Sequence, residues 1–167
     1  MEKVYAYPGT FCPPHRGHEN IAKRMAQISG KVTVVCSENP DKNDRWFTPE
    51  ECKEMWQACD LGENIAIMTF GEFMATHAKN QRIVMVRGIR NEEDLAFEKK
   101  ILEQNRRDYG IKDYHYIVAD EMFRDFSSTK ARDLALEKNL PDLERIVHAK
   151  IAARMYEKGM EIRERII

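Results

Sequence analysis

A segment near the N-terminus concentrates side chains that suit ligand binding better than core packing. It is Pro8–His18, and it holds two glycines, three prolines, a threonine and two histidines. Gly17 lets the backbone approach a ligand closely, and His18 at the start of a predicted helix presents an imidazole beside unpaired N–H groups. Phosphate is the natural ligand of such a site. The alternative is a loop whose histidines are solvated or cap the helix.

Two further features point to phosphate. Phe126–Lys130 reads Phe-Ser-Ser-Thr-Lys at a predicted helix start, where hydroxyls and amides can hold phosphate oxygens, although an ordinary helix cap would look the same. Arg87 directly follows an apolar strand, and a guanidinium there can bind phosphate through two hydrogen bonds. We assign no metal ligand in this sequence.

Regular elements must position these residues. Short runs rich in Val, Ile, Tyr and Phe alternate with longer helical patterns. The strand candidates are Lys3–Tyr7, Val32–Ser37, Ile65–Phe70, Ile83–Val86 and Tyr114–Ala119. Helical patterns cover about residues 19–28, 49–59, 91–107, 127–138 and 142–162.

This alternation predicts the α/β class. We expect a Rossmann-like, doubly wound parallel sheet of five strands, with helices on both faces and a C-terminal helical layer. Because no linker or repeat interrupts the chain, residues 1–167 are predicted to form a single domain. In such sheets ligands bind beyond the carboxyl ends of the strands, which is where the polar motifs lie.

Composition excludes several classes. Lys and Arg number 27 against 28 Asp and Glu, so the net charge of -1 does not indicate a nucleic acid or an anionic membrane as partner. No apolar run resembles a signal peptide or a membrane span, which predicts a cytoplasmic location. The four cysteines lack metal-site spacing and are expected to be reduced thiols in or near the core.

The motifs together resemble a known superfamily. His15-x-Gly17-His18, after a strand that leads into Gly9-Thr10-Phe11, and the distant Ser127-Ser128-Thr129 are similar to the signature of the nucleotidylyltransferases. From Tyr7 to about Leu134 the chain resembles the phosphopantetheine adenylyltransferase family within it. The supporting stretches are Tyr7–Phe11, Phe47–Glu51, the segment around Met74, Arg87–Arg90, Asp94, Phe97, Glu98 and Asn105-Arg106. Cys12 and His15 depart from the aspartate and threonine usual in that family.

The resemblance implies a reaction and its residues. Members transfer AMP from ATP to 4′-phosphopantetheine, giving dephospho-CoA and pyrophosphate, by in-line attack on the α-phosphorus without a covalent intermediate. The implied catalytic residues are His18, Lys42 and Arg90, with His18 on the α-phosphate. The implied acceptor-binding residues are Thr10, Lys42, Met74 and Arg87.

The resemblance also implies how ATP is held. The implied nucleotide-binding residues are Thr10, Phe11, His18, Gly88, Ile89, Arg90, Glu98, Phe123, Ser127, Ser128 and Thr129, with Glu98 at the nucleoside. Mg²⁺ is expected to accompany ATP. Members of the family are typically hexamers, which predicts a homo-oligomer.

Three alternatives stay open at this point. A related nucleotidylyltransferase would use another acceptor, such as nicotinamide mononucleotide, flavin mononucleotide or a cytidylyl acceptor, and His15 favours that interpretation. A non-catalytic nucleotide-binding module would keep the fold and lose turnover. An RNA-binding protein has little support, because the net charge is near zero.

Overall fold

The fold is built on a parallel sheet whose order matches the predicted class. The computed structural model describes residues 1–41, 45–77 and 81–167. In these ranges the strands are β1 (Lys3–Gly9), β2 (Val32–Cys36), β3 (Ile65–Thr69), β4 (Arg82–Ile89) and β5 (Asp113–Val118). They are all parallel and lie in the order β3-β2-β1-β4-β5. The prediction of a doubly wound five-stranded sheet is confirmed.

The first four helices alternate with the strands, and the last three helices follow β5. They are α1 (Arg16–Ser29), α2 (Pro49–Ala58), α3 (Phe70–Thr76), α4 (Glu92–Tyr109), α5 (Ser128–Leu136), α6 (Leu140–Ile146) and α7 (Ala149–Ile166). A single 3-10 turn at Glu121–Phe123 lies between β5 and α5.

The strand order creates the place for a site. The chain moves from β1 outward to β2 and β3, then returns to the other side of β1 to form β4 and β5. Connections that leave β1 and β4 therefore run to opposite sides, and a crevice opens between the carboxyl ends of these two strands.

Alternation along the central strands divides the core between the two faces of the sheet. Val34 and Val86 belong to a large cluster with residues of α1, α2, α5, α6 and α7. Ala6 and Val35 belong to a smaller cluster with Phe73 of α3 on the other face. Helices therefore cover both faces, as predicted, and the last three helices form the C-terminal layer on the larger cluster.

Local signals in the sequence explain where several helices begin. Thr48 accepts a hydrogen bond from the backbone N–H of Glu51, whose carboxylate accepts one from the N–H of Thr48, and Pro49 takes the first helical position. This is the predicted capping box, and it leaves two fewer N–H groups without a partner. Asn91 caps α4 in a similar way, and Gly110 ends that helix with φ 67, as predicted.

Several predicted boundaries were wrong. The strand expected over Ile83–Val86 runs from Arg82 to Ile89, so Arg87 lies in the last part of β4 and not directly after it, because pairing with β5 continues to Ile89. The helix expected from about residue 19 begins at Arg16, because the His15 imidazole serves as its N-cap. The helix expected over about 142–162 is two helices, because Val147 adopts an extended backbone with φ -120 and ψ 161. His148 then caps α7 by accepting from the backbone N–H of Lys150.

Two other sequence predictions concern the core and the membrane. The four cysteines are free and buried, as expected. Within the described ranges, no helix is both long enough and apolar enough to traverse a lipid bilayer.

Candidate active site

An open cleft of about 640 Å³ lies at the carboxyl ends of β1 and β4. Its walls come from the connections after β1, β2, β4 and β5, together with the N-terminal parts of α1, α4 and α5. The predicted site residues that line it are Thr10, Phe11, His18, Arg87, Gly88, Arg90, Glu98, Phe123, Ser127, Ser128 and Thr129. Residues far apart in sequence therefore converge at the expected edge of the sheet.

The start of α1 is closed by two histidines. The Nδ1 atom of His15 accepts a hydrogen bond from the backbone N–H of Gly17 at 3.1 Å. The Nδ1 atom of His18 accepts one from the backbone N–H of His15, also at 3.1 Å. The two rings stack with 3.6 Å between their centroids. Imidazoles thus replace the hydroxyl and carboxylate of an ordinary capping box.

This geometry assigns the protonation state of both rings. A neutral imidazole whose Nδ1 accepts a hydrogen bond carries its proton on Nε2. His18 therefore holds an N–H donor on a ring that lines the cleft at the positive end of α1. Burial, and secondarily the positive charge of Arg90, lowers the pKa of His15 to about 3, so that His15 is neutral near pH 7.

Small and aromatic neighbours hold the histidines in place. A Cβ atom on Gly17 would lie 2.9 Å from Cε1 of His15, so any larger residue would displace that ring. Phe11 has φ 44, a left-handed conformation that is unfavourable for an aromatic residue and is often found at functional sites. Its buried ring packs edge-on against His18, with 5.0 Å between centroids. The Phe11 side chain therefore supports the site from the core.

The start of α5 is tied to the same loop. The Ser128 hydroxyl donates to the Pro13 carbonyl at 2.8 Å, and Ser127 caps the helix by accepting from the backbone N–H of Lys130 at 3.0 Å. Arg132 donates to the Cys12 carbonyl at 2.7 Å and to the Thr129 hydroxyl at 3.3 Å. Two helix N-termini and an arginine thus face one cleft, an arrangement that favours an anion with several charges.

The end of β4 supplies a buried ion pair. Arg87 donates from Nε and Nη2 to the two carboxylate oxygens of Glu98 at 2.8 and 2.7 Å, and from Nη1 to the Pro8 carbonyl at 2.9 Å. Burial opposes the charged form of Arg87, but hydrogen bonds and charge from Glu98 outweigh it and raise its pKa. A fixed guanidinium cation therefore lies at the crevice between β1 and β4.

The residues after Arg87 complete β4 and lead into α4. Gly88 packs against Ile21 of α1, since a Cβ atom there would lie 3.2 Å from that side chain. Ile89 is at the end of β4 beside Val118 and is not among the residues that line the cleft. Arg90 is half-exposed and donates a hydrogen bond to the carboxylate of Asp94. Burial alone would raise the pKa of Asp94, but the hydrogen bonds and charge of Arg90 outweigh burial and lower it.

One predicted acceptor-binding residue does not line the cleft. Met74 lies on α3 with 51% of its surface exposed and is not among the cleft-lining residues. Lys42 lies outside the described residues. Their roles stay predictions.

Two arginines that line the cleft were not predicted as site residues from the sequence. Arg132 follows Thr129 by three residues on α5, and helical spacing could have placed it on the same face as the serine motif. Arg45 also lines the cleft, where it bonds to the Phe47 carbonyl at 2.6 Å and pairs with Glu38 at 3.1 Å. Nothing in its polar loop distinguishes Arg45 from a solvated charge.

Comparison with known proteins assigns the family. The sequence model of the family described as cytidylyltransferase-like matches residues 6–165. A phosphopantetheine adenylyltransferase of Aquifex aeolicus (strain VF5) is 31% identical over 159 residues, which are 95% of this chain and 97% of that protein. The chain belongs to the phosphopantetheine adenylyltransferase family. A family member from Actinobacillus pleuropneumoniae serotype 7 (strain AP76) is 30% identical over 80% of this chain and 85% of its own length.

Solved structures support the fold independently. Nicotinic acid mononucleotide adenylyltransferase of Plasmodium falciparum, solved with NaAD, has a TM-score of 0.64 at 13% identity over 97% of this chain and 96% of its own. A bifunctional NMN adenylyltransferase/ADP ribose pyrophosphatase of Francisella tularensis gives 0.64 at 16% identity over 96% of this chain and 52% of its own. These structures confirm the prediction of a Rossmann-like fold, and the family match confirms that of a nucleotidyltransferase.

Proposed function

We propose that the protein transfers the adenylyl group of ATP to 4′-phosphopantetheine, producing dephospho-CoA and pyrophosphate. The observation that carries this proposal is the convergence of His18, Arg87 and Ser128 on one cleft at the carboxyl edge of the sheet. The family membership supports the choice of acceptor. The cleft provides fixed cations and helix N-termini, which suit two substrates that both carry phosphate.

The reaction needs placement and charge stabilisation more than a nucleophile from the protein. A phosphate oxygen of the acceptor attacks the α-phosphorus in line, the new P–O bond forms, and the bond to the oxygen bridging to the β-phosphate breaks to release pyrophosphate. The Nε2–H donor of His18 stabilises the negative charge that accumulates on the α-phosphate oxygens. Its supports, His15 and Phe11, hold the ring ready before the substrates arrive.

The cationic side chains of the cleft are assigned to different substrates. Arg87 receives the acceptor phosphate at the crevice, assisted by Thr10 and Lys42, while Met74 contacts the pantetheine arm. Arg90 and the Gly88-Ile89 backbone hold nucleotide phosphate from the β4 side. The start of α5, with Ser127, Ser128 and Thr129, holds the triphosphate from the other side, and Arg132 extends that surface.

Adenine recognition involves the connection before α5. Phe123 lines the cleft and packs edge-on against Phe126 with 5.5 Å between centroids, which forms an apolar wall for a base. The Phe11 backbone amide and the Glu98 side chain are further proposed contacts of the nucleotide.

Mg²⁺ would bind together with ATP. The donors that face the cleft are mainly arginines, imidazoles, hydroxyls and amides, which suit phosphate better than a metal ion. The described residues contain no group of three or more His, Cys, Asp or Glu placed to hold a metal. Mg²⁺ is therefore proposed to be held by the triphosphate and water, where it neutralises phosphate charge. A homo-oligomeric, hexameric assembly and a cytoplasmic location also stay predictions.

One observation favours a second acceptor. His15 lines the cleft beside His18, so this chain has an imidazole at both ends of the His-x-Gly-His motif. Nicotinamide mononucleotide, which also presents a phosphate to the α-phosphorus, is the alternative acceptor.

An acceptor panel tests the proposal. The purified protein is incubated with ATP and, separately, 4′-phosphopantetheine, nicotinamide mononucleotide, nicotinic acid mononucleotide or flavin mononucleotide, with CTP replacing ATP in a parallel set. Pyrophosphate release is measured, and the product is identified by mass. We expect the highest kcat/KM for ATP with 4′-phosphopantetheine. A higher value for another acceptor would replace the proposed one, and nucleotide binding without any turnover would indicate a non-catalytic module.

A further inference from the structure

A group of thiols lies directly behind the wall of the cleft that follows β1. Cys12 lines the cleft and is 6% exposed, whereas Cys52 on α2 and Cys36 at the end of β2 are fully buried. Cys36 lies beside Gly9 in the sheet, and the Sγ atom of Cys12 lies 3.8 Å from the carbonyl oxygen of Phe47, just before α2. The fold therefore brings cysteines from three separate segments of the chain to one place.

Two of these thiols are in contact. The Cys52 thiol donates a hydrogen bond to Cys12, and this bond is the largest cause of a pKa of Cys12 that is lowered to about 6. Backbone hydrogen bonds and the positive charge of Arg132 also lower this pKa, whereas burial opposes them. The hydrogen bond and burial both raise the pKa of Cys52. Near pH 7 the pair therefore holds one proton, and the thiolate is on the residue that lines the cleft.

This arrangement suits oxidation better than metal binding. Residues 1–41, 45–77 and 81–167 contain no group of three or more His, Cys, Asp or Glu placed to hold a metal ion. Cysteines that react with peroxides combine thiolate character, access for the oxidant and a second thiol within reach. Cys12 meets the first two conditions, and Cys52 supplies the third.

We propose that Cys12 and Cys52 form a site of reversible modification, at which hydrogen peroxide oxidises the two thiols to a disulfide and thereby lowers the activity of the cleft. The Cys12 thiolate attacks the peroxide; an S–O bond forms, the O–O bond breaks and hydroxide leaves, which gives a sulfenic acid. The Cys52 sulfur then attacks the Cys12 sulfur; the S–S bond forms, the S–O bond breaks and water leaves with the Cys52 proton. The two sulfurs together lose the two electrons that the peroxide gains.

The contacts of the chain around Cys12 explain why a disulfide would lower activity. The Cys12 carbonyl accepts a hydrogen bond from Arg132 at 2.7 Å, and the ring of the preceding residue, Phe11, packs against His18. Because the two sulfurs must move together to form a covalent bond, the disulfide draws this loop toward α2. A displacement of about 1 Å at an active site can reduce a rate by about 10²-fold. The disulfide itself is independent of the function proposed above, and its effect on turnover rests on that function.

The test compares the wild type with Cys52→Ala and with Cys59→Ala as a matched control. Cys59 is similarly buried, at 9% exposed, but it is not among the residues that line the cleft, and burial raises its pKa to about 12. Each reduced protein is treated with hydrogen peroxide, which is then removed with catalase, and any disulfide is located by peptide mass mapping. Turnover with ATP and the acceptor identified by the panel is measured before treatment, after treatment, and after reduction with dithiothreitol.

We expect the wild type and Cys59→Ala to form the disulfide between Cys12 and Cys52, to lose turnover by about 10-fold or more, and to regain it with dithiothreitol. Cys52→Ala is expected to form no disulfide and to lose less turnover, because no bond draws the loop toward α2. If Cys52→Ala does not fold, Cys12→Ala, which also lacks the pair, is compared with its own untreated rate.

Three results would overturn the proposal. They are a treated wild type without the disulfide between Cys12 and Cys52, a disulfide that leaves turnover unchanged, and an equal loss of turnover in a variant that lacks the pair. Failure of the proposed function appears separately, as a different acceptor for the untreated wild type. If no acceptor supports turnover, the Kd for ATP is compared before and after oxidation in the same proteins.

Discussion

The two ends of strand β4 carry the same kind of ion pair with different consequences. At the amino end, Arg82 donates from Nε and Nη2 to Asp113, both at 2.6 Å. At the carboxyl end, Arg87 makes the same two-point contact with Glu98 at 2.8 and 2.7 Å. The side chains of the first pair are 50% and 31% exposed, whereas those of the second are 21% and 7% exposed.

The difference is one of environment. Water screens the exposed pair, so it contributes little to stability even though it lowers the pKa of Asp113. The buried pair loses hydration on both charges, and its mutual attraction mainly compensates for that loss. Its value lies in geometry, because a buried pair holds a cation at a fixed position and angle. The fold places that cation at the edge of the sheet where ligands bind.

The largest difference between the two ends is expected when each arginine is removed. Arg87→Ala leaves the Glu98 carboxylate buried without its partner, and we expect the free energy of unfolding to fall by about 3–5 kcal/mol. Arg82→Ala leaves an exposed carboxylate that water can solvate, so its loss is expected to be much smaller. Urea unfolding of both variants measures the contrast. Equal losses would mean that burial does not distinguish the two pairs.

A similar contrast applies to two histidines at helix starts. His18 lines the cleft, whereas His148 caps α7 in the C-terminal layer. His18→Ala is expected to fold and to lose about 10²- to 10³-fold in kcat, because one donor to the transition state is removed. His148→Ala is expected to keep wild-type kcat. Steady-state kinetics measure kcat for both variants, and circular dichroism checks that they fold. A folded His18→Ala enzyme with wild-type kcat would contradict the role assigned to His18.

Acid sensitivity should also arise at the cleft. Burial first, and Arg90 second, lowers the pKa of His15 in the folded protein to about 3, below its value of about 6.5 in the unfolded chain. The unfolded state therefore binds more protons as the pH falls, so this stabilising contribution is complete above about pH 6.5 and is lost between about pH 6.5 and 3.

His15→Ser keeps a cap acceptor for Gly17 but removes this titration. Between pH 7 and pH 5 the wild type is expected to lose about 2 kcal/mol more of its free energy of unfolding than His15→Ser. Urea titrations at the two pH values measure the difference. Equal losses in the two proteins would contradict this account, because they would show that His15 binds a proton as readily in the folded protein as in the unfolded chain.

The smallest effects are expected at helix caps. Ser127 caps α5 inside the cleft, and Thr69 caps α3 without lining it. Replacing either by alanine is expected to cost about 1 kcal/mol of stability. Only Ser127→Ala is expected to raise the KM for ATP. If Thr69→Ala raised the KM for ATP by the same factor, Ser127 would act on ATP binding only through the stability of the protein.

Much of the fold could be predicted because local signals and hydrophobic patterns agree. The Thr48-Pro49-Glu50-Glu51 capping box marked the start of α2, and Gly110 marked the end of α4. The start of α1 was missed because histidine is not a standard N-cap, and its role depends on the burial and stacking of His15. The break between α6 and α7 was missed because Val147 carries no breaking signal of its own.

The site could be predicted where a motif and a strand end coincide. His18, Arg87 and Ser128 meet both conditions, and all three line the cleft. The partnership of Arg87 with Glu98 could not be predicted, because only the packing of α4 on β4 brings the two residues together. Arg132 was missed for a related reason, since its contacts with Cys12 and Thr129 depend on how α5 meets the loop after β1.

The most direct test of the account follows the label of [α-³²P]ATP into product. With 4′-phosphopantetheine present, we expect the wild type and His148→Ala to transfer the label to dephospho-CoA at equal rates, with no labelled protein, and His18→Ala to transfer it about 10²- to 10³-fold more slowly. Label that stays in ATP with the wild type, or transfer by His18→Ala at the wild-type rate, would contradict adenylyl transfer in this cleft.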